Sequence, residues 1–220
     1  MSQGANFKES APGRNSTPER KLEGGNTMKY LKMFGLAALA AALMAFFAVG
    51  TASATILEDD SQKLSTNSLI TAESEGTTEL HPPFGSINCK KSHVGGKTTN
   101  EGGAGVNVSG DITALSWGEC NATVTVLQKG TLSIAHTSGS NGTLSGTGQQ
   151  VTVVYLGFHC IFSTNNTKLG TVTGGTTATL DIEATIPRTG GNSGAFCGTT
   201  AQWTGSYSVS TPDTLKVTNS

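Results

Sequence analysis

Charge is what this sequence has least of. Asp, Glu, Lys and Arg make up 13% of its 220 residues, about half of the roughly 25% usual for soluble domains. The formal net charge is −1, and residues 55–220 carry eight Lys and Arg against twelve Asp and Glu, a net charge of −4. Such a surface offers no basic footprint for nucleic-acid phosphates. We therefore expect no nucleic-acid partner.

The sequence also lacks the motifs of catalytic and metal sites. Its cysteines are 31, 40 and 37 positions apart, which excludes the close CxxC pairs of zinc and redox sites. No serine lies in a Gly-x-Ser-x-Gly nucleophile elbow. Four histidines have no neighbouring ligand at metal-site spacing: His81, His93, His136 and His159. We expect no catalytic, cofactor-binding or metal-binding residue and no enzymatic activity; a small secreted hydrolase remains the least favoured alternative.

A helical pattern is missing after residue 54, and strand patterns take its place. Thr, Ser and Gly are abundant, and β-branched side chains favour a pleated sheet. Alternation is clearest at residues 178–186, and residues 120–135 predict a hairpin that turns at Lys129–Gly130. About ten short strands without crossover helices predict an all-β fold, an antiparallel sandwich or jelly-roll.

The one long apolar run lies near the start of the chain. Residues 28–32 are basic, residues 33–49 are apolar, and Ala52-Ser53-Ala54 is a small-x-small cleavage site. This order is typical of a secretory signal peptide over residues 28–54, cleaved between Ala54 and Thr55. A membrane-spanning helix is the alternative. Cleavage would make the protein extracellular and would limit its membrane contact to the uncleaved precursor.

Residues 1–27 should not precede a signal peptide. They are polar and aperiodic, as disordered tails are. Glu23-Gly24-Gly25 can be encoded by a purine-rich, ribosome-binding sequence just upstream of Met28. Our hypothesis is that translation starts at Met28 and that residues 1–27 are leader; a genuine extension is the alternative. Residues 55–67, with their acidic cluster, are predicted as an exposed lead-in to a single domain over residues 68–220.

An even number of cysteines in an exported chain predicts disulfides. Three pairings are possible, and we favour those that enclose the two Gly-rich segments. Each bond would stabilise the fold by roughly 3–4 kcal/mol in the chain-entropy model. The favoured pairs are Cys89 with Cys120 and Cys160 with Cys197.

The larger aromatic residues allow two interpretations. They could form a platform on which sugars stack, or they could belong to the core near the disulfides, which is the more common arrangement. We favour the core for all four: Trp117, Trp203, Tyr155 and Tyr207.

The four cysteines, the Gly130-Thr131-Leu132-Ser133-Ile134 segment and Trp203-Thr204-Gly205 carry a resemblance over residues 69–218. The chain resembles secreted four-cysteine β proteins of soil actinobacteria. More distantly, it is similar to the PraB-like proteins, named as activators of alkane oxidation and associated with extracellular matrix, adhesion and fibres. No family site residue carries over. The resemblance implies a surface or matrix role. The charge-poor, Thr/Ser/Gly-rich composition favours a secreted structural or adhesive protein that self-associates or contacts cell surfaces and glycans; a carbohydrate- or ligand-binding module is the alternative.

Overall fold

The computed structural model describes residues 54–192 and 194–219. The predicted leader, the signal peptide up to residue 53 and its helix lie outside the described residues. Ala54 and Thr55, which flank the predicted cleavage site, are the first two residues of a strand and are both buried. Cleavage at this bond remains a prediction.

The described chain contains sixteen strands and one short helix, and every ladder is antiparallel. This confirms the predicted all-β antiparallel sandwich, although with more strands than the ten expected. The elements are β1 Ala54–Asp59, β2 Gln62–Lys63, β3 Leu69–Ser74, β4 Thr78–His81, β5 Ile87–Thr98, β6 Gly103–Ala104, β7 Val108–Cys120, β8 Thr123–Gln128, β9 Thr131–His136, β10 Gly142–Thr147, β11 Gln150–Tyr155, β12 Phe158–Ser163, β13 Thr167–Thr173, β14 Thr179–Gly191, α1 Gly194–Cys197, β15 Thr200–Thr211 and β16 Lys216–Thr218.

The sheets of the sandwich join at both edges. Strands β3 and β4 follow one another between β15 and β5, and the order continues β5-β7-β9-β10-β13-β14. Strand β14 then pairs with β15 from Thr179↔Ser208 to Pro187↔Thr200, which closes the ring. Along β14, the side chains of Leu180, Ile182 and Ile186 are buried inside it. The predicted alternation of this strand is therefore confirmed.

The ring is continuous at one end and interrupted at the other. Strand β7 pairs with β9 only through residues 108–111. Strand β14 pairs with β13 up to residue 182 and with β12 over residues 188–191. The wall then continues through β12, β11 and β8, and β8 does not pair with β7. An unpaired gap is left between the β7 segment 113–120 and β8; we call this gap the window.

A small sheet covers the continuous end, which we call the capped end. Strand β1 lies in this sheet between β16 and β2 and also pairs with β6. The expectation that residues 55–67 form an exposed lead-in is therefore wrong, because Thr55, Ile56 and Leu57 are buried. The acidic cluster marks a hairpin: Asp60 and Ser61 both have positive φ and turn the chain from β1 into β2.

The predicted hairpin around Lys129–Gly130 is also wrong. Both strands exist, but β8 pairs with β11, and β9 pairs with β7 and β10. Gly130 has φ of +65° and turns the chain between them. Alternation identifies a strand and its buried face, but it does not identify the neighbouring strand.

Candidate functional site: an apolar cavity inside the closed sheet

The two favoured disulfides are confirmed. Cys89 bonds to Cys120, with Cα atoms 4.0 Å apart, and Cys160 bonds to Cys197, with Cα atoms 5.7 Å apart. The first ties the start of β5 to the end of β7, and the second ties β12 to α1. Both lie at the interrupted end of the ring, which we call the disulfide end.

A loop, the ends of β11 and β12, and α1 carry a cluster of aromatic rings at the disulfide end. The Phe84 ring lies 5.8 Å from that of Tyr155 and 6.3 Å from that of Phe158, which stacks on Phe196 at 4.2 Å between centroids. Phe196 is 54% exposed, and the neighbouring turn residue Leu156 is 79% exposed. This cluster forms an apolar surface on the outside of the molecule.

An apolar cavity of about 90 Å³ lies inside the ring on the side of the disulfide end. A cavity needs roughly 10–15 Å³ to hold one water, and apolar cavities of larger size stay dry and take up apolar guests. Aliphatic and indole side chains form most of its wall, among them Leu80, Trp117, Val124, Val151, Val153 and Trp203. The cavity is large enough for a small organic molecule.

The window lies in the wall of this cavity. Leu115 and Trp117 from β7 and Val124 from β8 line the cavity on either side of the unpaired gap and are only half-buried. On the side of the capped end, the gap stops where the Ile112 N–H donates a hydrogen bond to the Gly130 carbonyl at 3.1 Å. On the side of the disulfide end, the short turn between β7 and β8 closes it. The window is therefore a bounded opening beside the cavity.

The mostly apolar lining includes the polar side chains of Thr78, Glu79, Gln149, Thr164, Trp203 and Tyr207. Gln149 and Thr164 hydrogen-bond to each other, and Glu79 pairs with His81. Trp203 Nε1 and Thr78 Oγ1 are buried and make no hydrogen bond, whereas the Tyr207 hydroxyl bonds to Ser92 Oγ at 2.9 Å. Burial raises the pKa of Tyr207 to about 12, and the nearby polar groups of Ser92, Trp117, Thr78 and Trp203 act in the opposite direction. The cavity thus contains a donor-only N–H and a hydroxyl that make no hydrogen bond of their own, although both lie near the Tyr207 hydroxyl.

A second cavity of about 70 Å³ adjoins the first on the side of the capped end. Leu57, Val108 and Leu215 line it, which places it beneath the small covering sheet. The two cavities share five aliphatic wall residues, and these side chains separate them: Val94, Ile112, Leu132, Leu144 and Leu180.

The four large aromatic residues considered in the sequence do not form a sugar platform together. Trp117 and Trp203 meet edge to face, with centroids 5.8 Å apart, and Tyr207 lines the same cavity. Tyr155 lies apart from them, against Phe84. The indole rings border the core, as predicted, but they also wall a cavity. Thr78 and Val124 complete this site, and no motif in the sequence marks them.

The expectation that no histidine has a neighbouring ligand is wrong for His81, because Glu79 precedes it by two residues on β4 and the two belong to a hydrogen-bonded chain on the outer face. His81 Nδ1 and Ser86 Oγ are 2.8 Å apart, and His81 Nε2 and Glu79 Oε2 are 2.7 Å apart. The order of groups matches a serine–histidine–carboxylate relay. However, His81 and Glu79 are about 40% exposed, and neither His81 nor Ser86 lines either cavity. Neither of the two cavities would hold a substrate against Ser86.

The remaining histidines make isolated contacts. His93 Nδ1 lies 2.8 Å from Glu73 Oε1, and His136 Nε2 lies 3.1 Å from the Gly139 carbonyl oxygen. Across residues 54–192 and 194–219, no three His, Cys, Asp or Glu side chains come together as a metal site would require. In the same residues, no helix has the length and apolar character needed to cross a bilayer.

No protein-family model, curated protein or solved structure matches the chain. The resemblance to secreted four-cysteine β proteins and to PraB-like proteins therefore remains a prediction. The function has to be inferred from the geometry of the cavity, its window and the two disulfides.

Proposed function

We propose that this protein is a secreted, non-enzymatic binding module that holds a small apolar ligand inside its closed sheet. The observation that carries the proposal is the apolar cavity of about 90 Å³ walled by both tryptophans of the chain. Apolar walls with a few polar groups are typical of small-molecule sites.

The energetic cost of the cavity supports this proposal. Protein interiors are packed as densely as organic crystals, and a residual cavity destabilises a fold by about 24 cal/mol per Å³. At 90 Å³ the cost is about 2 kcal/mol, which is a large share of a typical net stability of about 5–15 kcal/mol. A bound apolar guest would restore the missing contacts.

Secretion is supported by two independent features. The apolar run and small-residue site before Thr55 are typical of a signal peptide. All four cysteines form disulfides, which persist in oxidising compartments. An exported carrier of a poorly soluble molecule would combine both features with a buried apolar site.

Intrinsic fluorescence provides a direct test, because Trp117 and Trp203 are the only tryptophans. We expect n-alkanes and short ketones to change the fluorescence of the exported protein saturably and to raise its Tm. Val124→Phe should fill the cavity and weaken binding at least tenfold. Leu127→Phe, on the same strand with an exposed side chain, is the matched control. If none of these probes changes either signal, the protein does not have this function.

A structural or adhesive function is the second candidate, and the exposed aromatic cluster favours it. Leu156 and Phe196 present apolar surface at one end of the molecule, as interaction sites often do. Light scattering of the exported protein should then show self-association that the Leu156→Ser, Phe196→Ser double variant reduces. A monomer that binds neither cell surfaces nor a glycan array would exclude this candidate.

A further inference from the structure

We infer that the ligand is an uncharged, unbranched aliphatic molecule with one hydrogen-bond-accepting oxygen, such as a linear ketone or alcohol. Its oxygen lies at Trp203 Nε1 and Thr78 Oγ1, and its alkyl chain extends from the first cavity into the second. This inference rests on the proposed binding function and specifies the ligand class of the same site.

The oxygen follows from the unpartnered polar groups. An indole N–H can only donate a hydrogen bond, so Trp203 Nε1 requires an acceptor. Thr78 is 2% exposed, and its Oγ1 also lacks a partner. A buried polar group without a partner is costly, whereas one ligand oxygen can accept from both. A pure hydrocarbon would leave both groups unpaired.

The absence of charge follows from the cavity wall. The described lining of the first cavity contains no Lys, Arg or His side chain, and its one acidic residue, Glu79, is 40% exposed and pairs with His81 on the outer face. A carboxylate or phosphate taken from water into this site would lose its hydration and meet no opposite charge. The N–H of Trp203 and the hydroxyl of Thr78 are neutral donors, which suit a carbonyl or hydroxyl oxygen.

The linear shape follows from the position of the second cavity. The first cavity is lined by residues of the disulfide end, such as Leu80, and the second by residues of the capped end, such as Leu57 and Leu215. The five shared aliphatic side chains separate the two spaces. Rotation of side chains such as Leu132 and Leu144 would join them into one narrow channel along the strands. An alkyl chain fits such a channel, whereas a ring system does not.

The window gives the ligand a route into this channel. Its two edges, the β7 segment 113–120 and β8, share no ladder, so they can separate without breaking backbone hydrogen bonds between them. The side chains that border it are half-buried and apolar, including Leu115 and Val124. The Lys129 ammonium donates to the Thr113 carbonyl at the capped-end side of the window, so a neutral aliphatic molecule enters between the apolar side chains nearer the disulfide end.

The experiment compares 2-alkanones from butanone to decan-2-one with n-alkanes of equal length, measured by tryptophan fluorescence and thermal shift. We expect ketone affinity to rise about fourfold per methylene. Trp203→Phe should weaken ketone binding about fivefold, the loss of one hydrogen bond, and leave alkane binding unchanged. Trp117→Phe is the comparison variant: it also removes an indole from the cavity wall and leaves one indole as the reporter, but its Nε1 is not among the unpartnered atoms, so it should change ketone and alkane binding by the same factor.

The channel has a separate variant. Leu132→Phe should close the passage to the second cavity and stop the gain in affinity at a shorter chain length, whereas Leu69→Phe, at an exposed position, should not. An unchanged chain-length limit in Leu132→Phe would confine the ligand to the first cavity and overturn the linear arrangement.

Two results separate this inference from the proposed function. If ketones and alkanes bind and Trp203→Phe weakens both equally, the oxygen does not meet Trp203; the binding function stands, and the ligand class is wrong. If nothing binds, the proposed function itself fails. Should Trp203→Phe not fold, Thr78→Val tests the same contact, because it removes the hydroxyl and keeps the side-chain shape.

Discussion

The two ends of this molecule close the same ring of strands by different means. At the capped end, Leu57 of β1, Val217 of β16 and Leu215 just before β16, each exposed by 1% or less, pack beneath a small sheet. At the disulfide end, loops, two disulfides and half-buried rings take the place of strands. The larger cavity lies toward the disulfide end, where the β7–β9 ladder stops. The smaller cavity, of about 70 Å³, lies toward the capped end, where the hydrogen-bonded wall is complete.

This difference indicates a division between stability and binding. A continuous ladder fixes neighbouring strands and lets side chains interdigitate. Where β7 and β8 part, the side chains between them gain freedom, and covalent bonds hold the surrounding strands instead. Cys120 lies at the disulfide end of the window. Cys160 lies on β12, which is separated from β8 by β11. The disulfides stabilise the end that has the less complete core.

The largest expected effect comes from removing one of these disulfides. Cys160→Ala with Cys197→Ala opens a loop of 37 residues, and the free energy of unfolding should fall by about 4 kcal/mol. Urea unfolding measures the loss. Hydrogen exchange should show weaker amide protection in β11, β12 and α1 than in β1, β10 and β13.

The matched variant removes the other bond, Cys89 to Cys120, whose loop of 31 residues predicts a similar loss of stability. It should also change ligand affinity, because Cys89 lines the cavity. Equal loss of protection at both ends in both variants would contradict the division, since it would mean that the molecule opens as one unit.

The next effect tests the capped end. Leu57→Ala removes a fully buried side chain beside the second cavity, and the free energy of unfolding should fall by about 3 kcal/mol. Leu69→Ala is the control, because Leu69 is 46% exposed and its truncation should change stability by less than about 0.5 kcal/mol. If Leu57→Ala is as mild as Leu69→Ala, β1 does not belong to the core.

Local patterns in the sequence predicted much of this fold. Alternation identified β14 and its buried face, and the cysteine count with two Gly-rich loops led to the correct disulfides. The pairing of strands was harder to predict, because it depends on residues far apart in sequence. Strand β8, for example, pairs with β11 instead of β9, which follows it in the chain. The burial of β1 was not predicted, because the acidic residues at its end hid the short apolar segment that precedes them.

The site was less predictable than the fold. A cavity is a space that side chains fail to fill, so it depends on the relative positions of β4, β7, β8 and β15, and no single segment encodes it. Trp117 and Trp203 were noted as core residues, but nothing placed Thr78 beside them. The unpaired state of Trp203 Nε1 emerges only once its surroundings are assembled.

The smallest expected effect tests whether the cavity is dry. Burial raises the pKa of Tyr207 from its usual 10.0 to about 12, so the folded protein holds this proton at a pH where the unfolded chain releases it. The contribution of this proton to the free energy of unfolding is complete below pH 10. About 2–3 kcal/mol of it is lost as the pH rises from 10 to 12. Urea unfolding at stepped pH measures this slope, and Tyr207→Phe should remove it.

The phenolate absorbance at 295 nm reports the same proton directly, and Tyr155→Phe leaves Tyr207 as the last tyrosine of residues 55–220. Titration of Tyr207 near pH 10 would mean that water reaches its hydroxyl through the window. The disulfide end would then be a wet cleft, and an apolar ligand would gain much less from entering it. Titration near pH 12 instead shows that the hydroxyl is shielded from solvent, as expected for a dry cavity that favours an apolar guest.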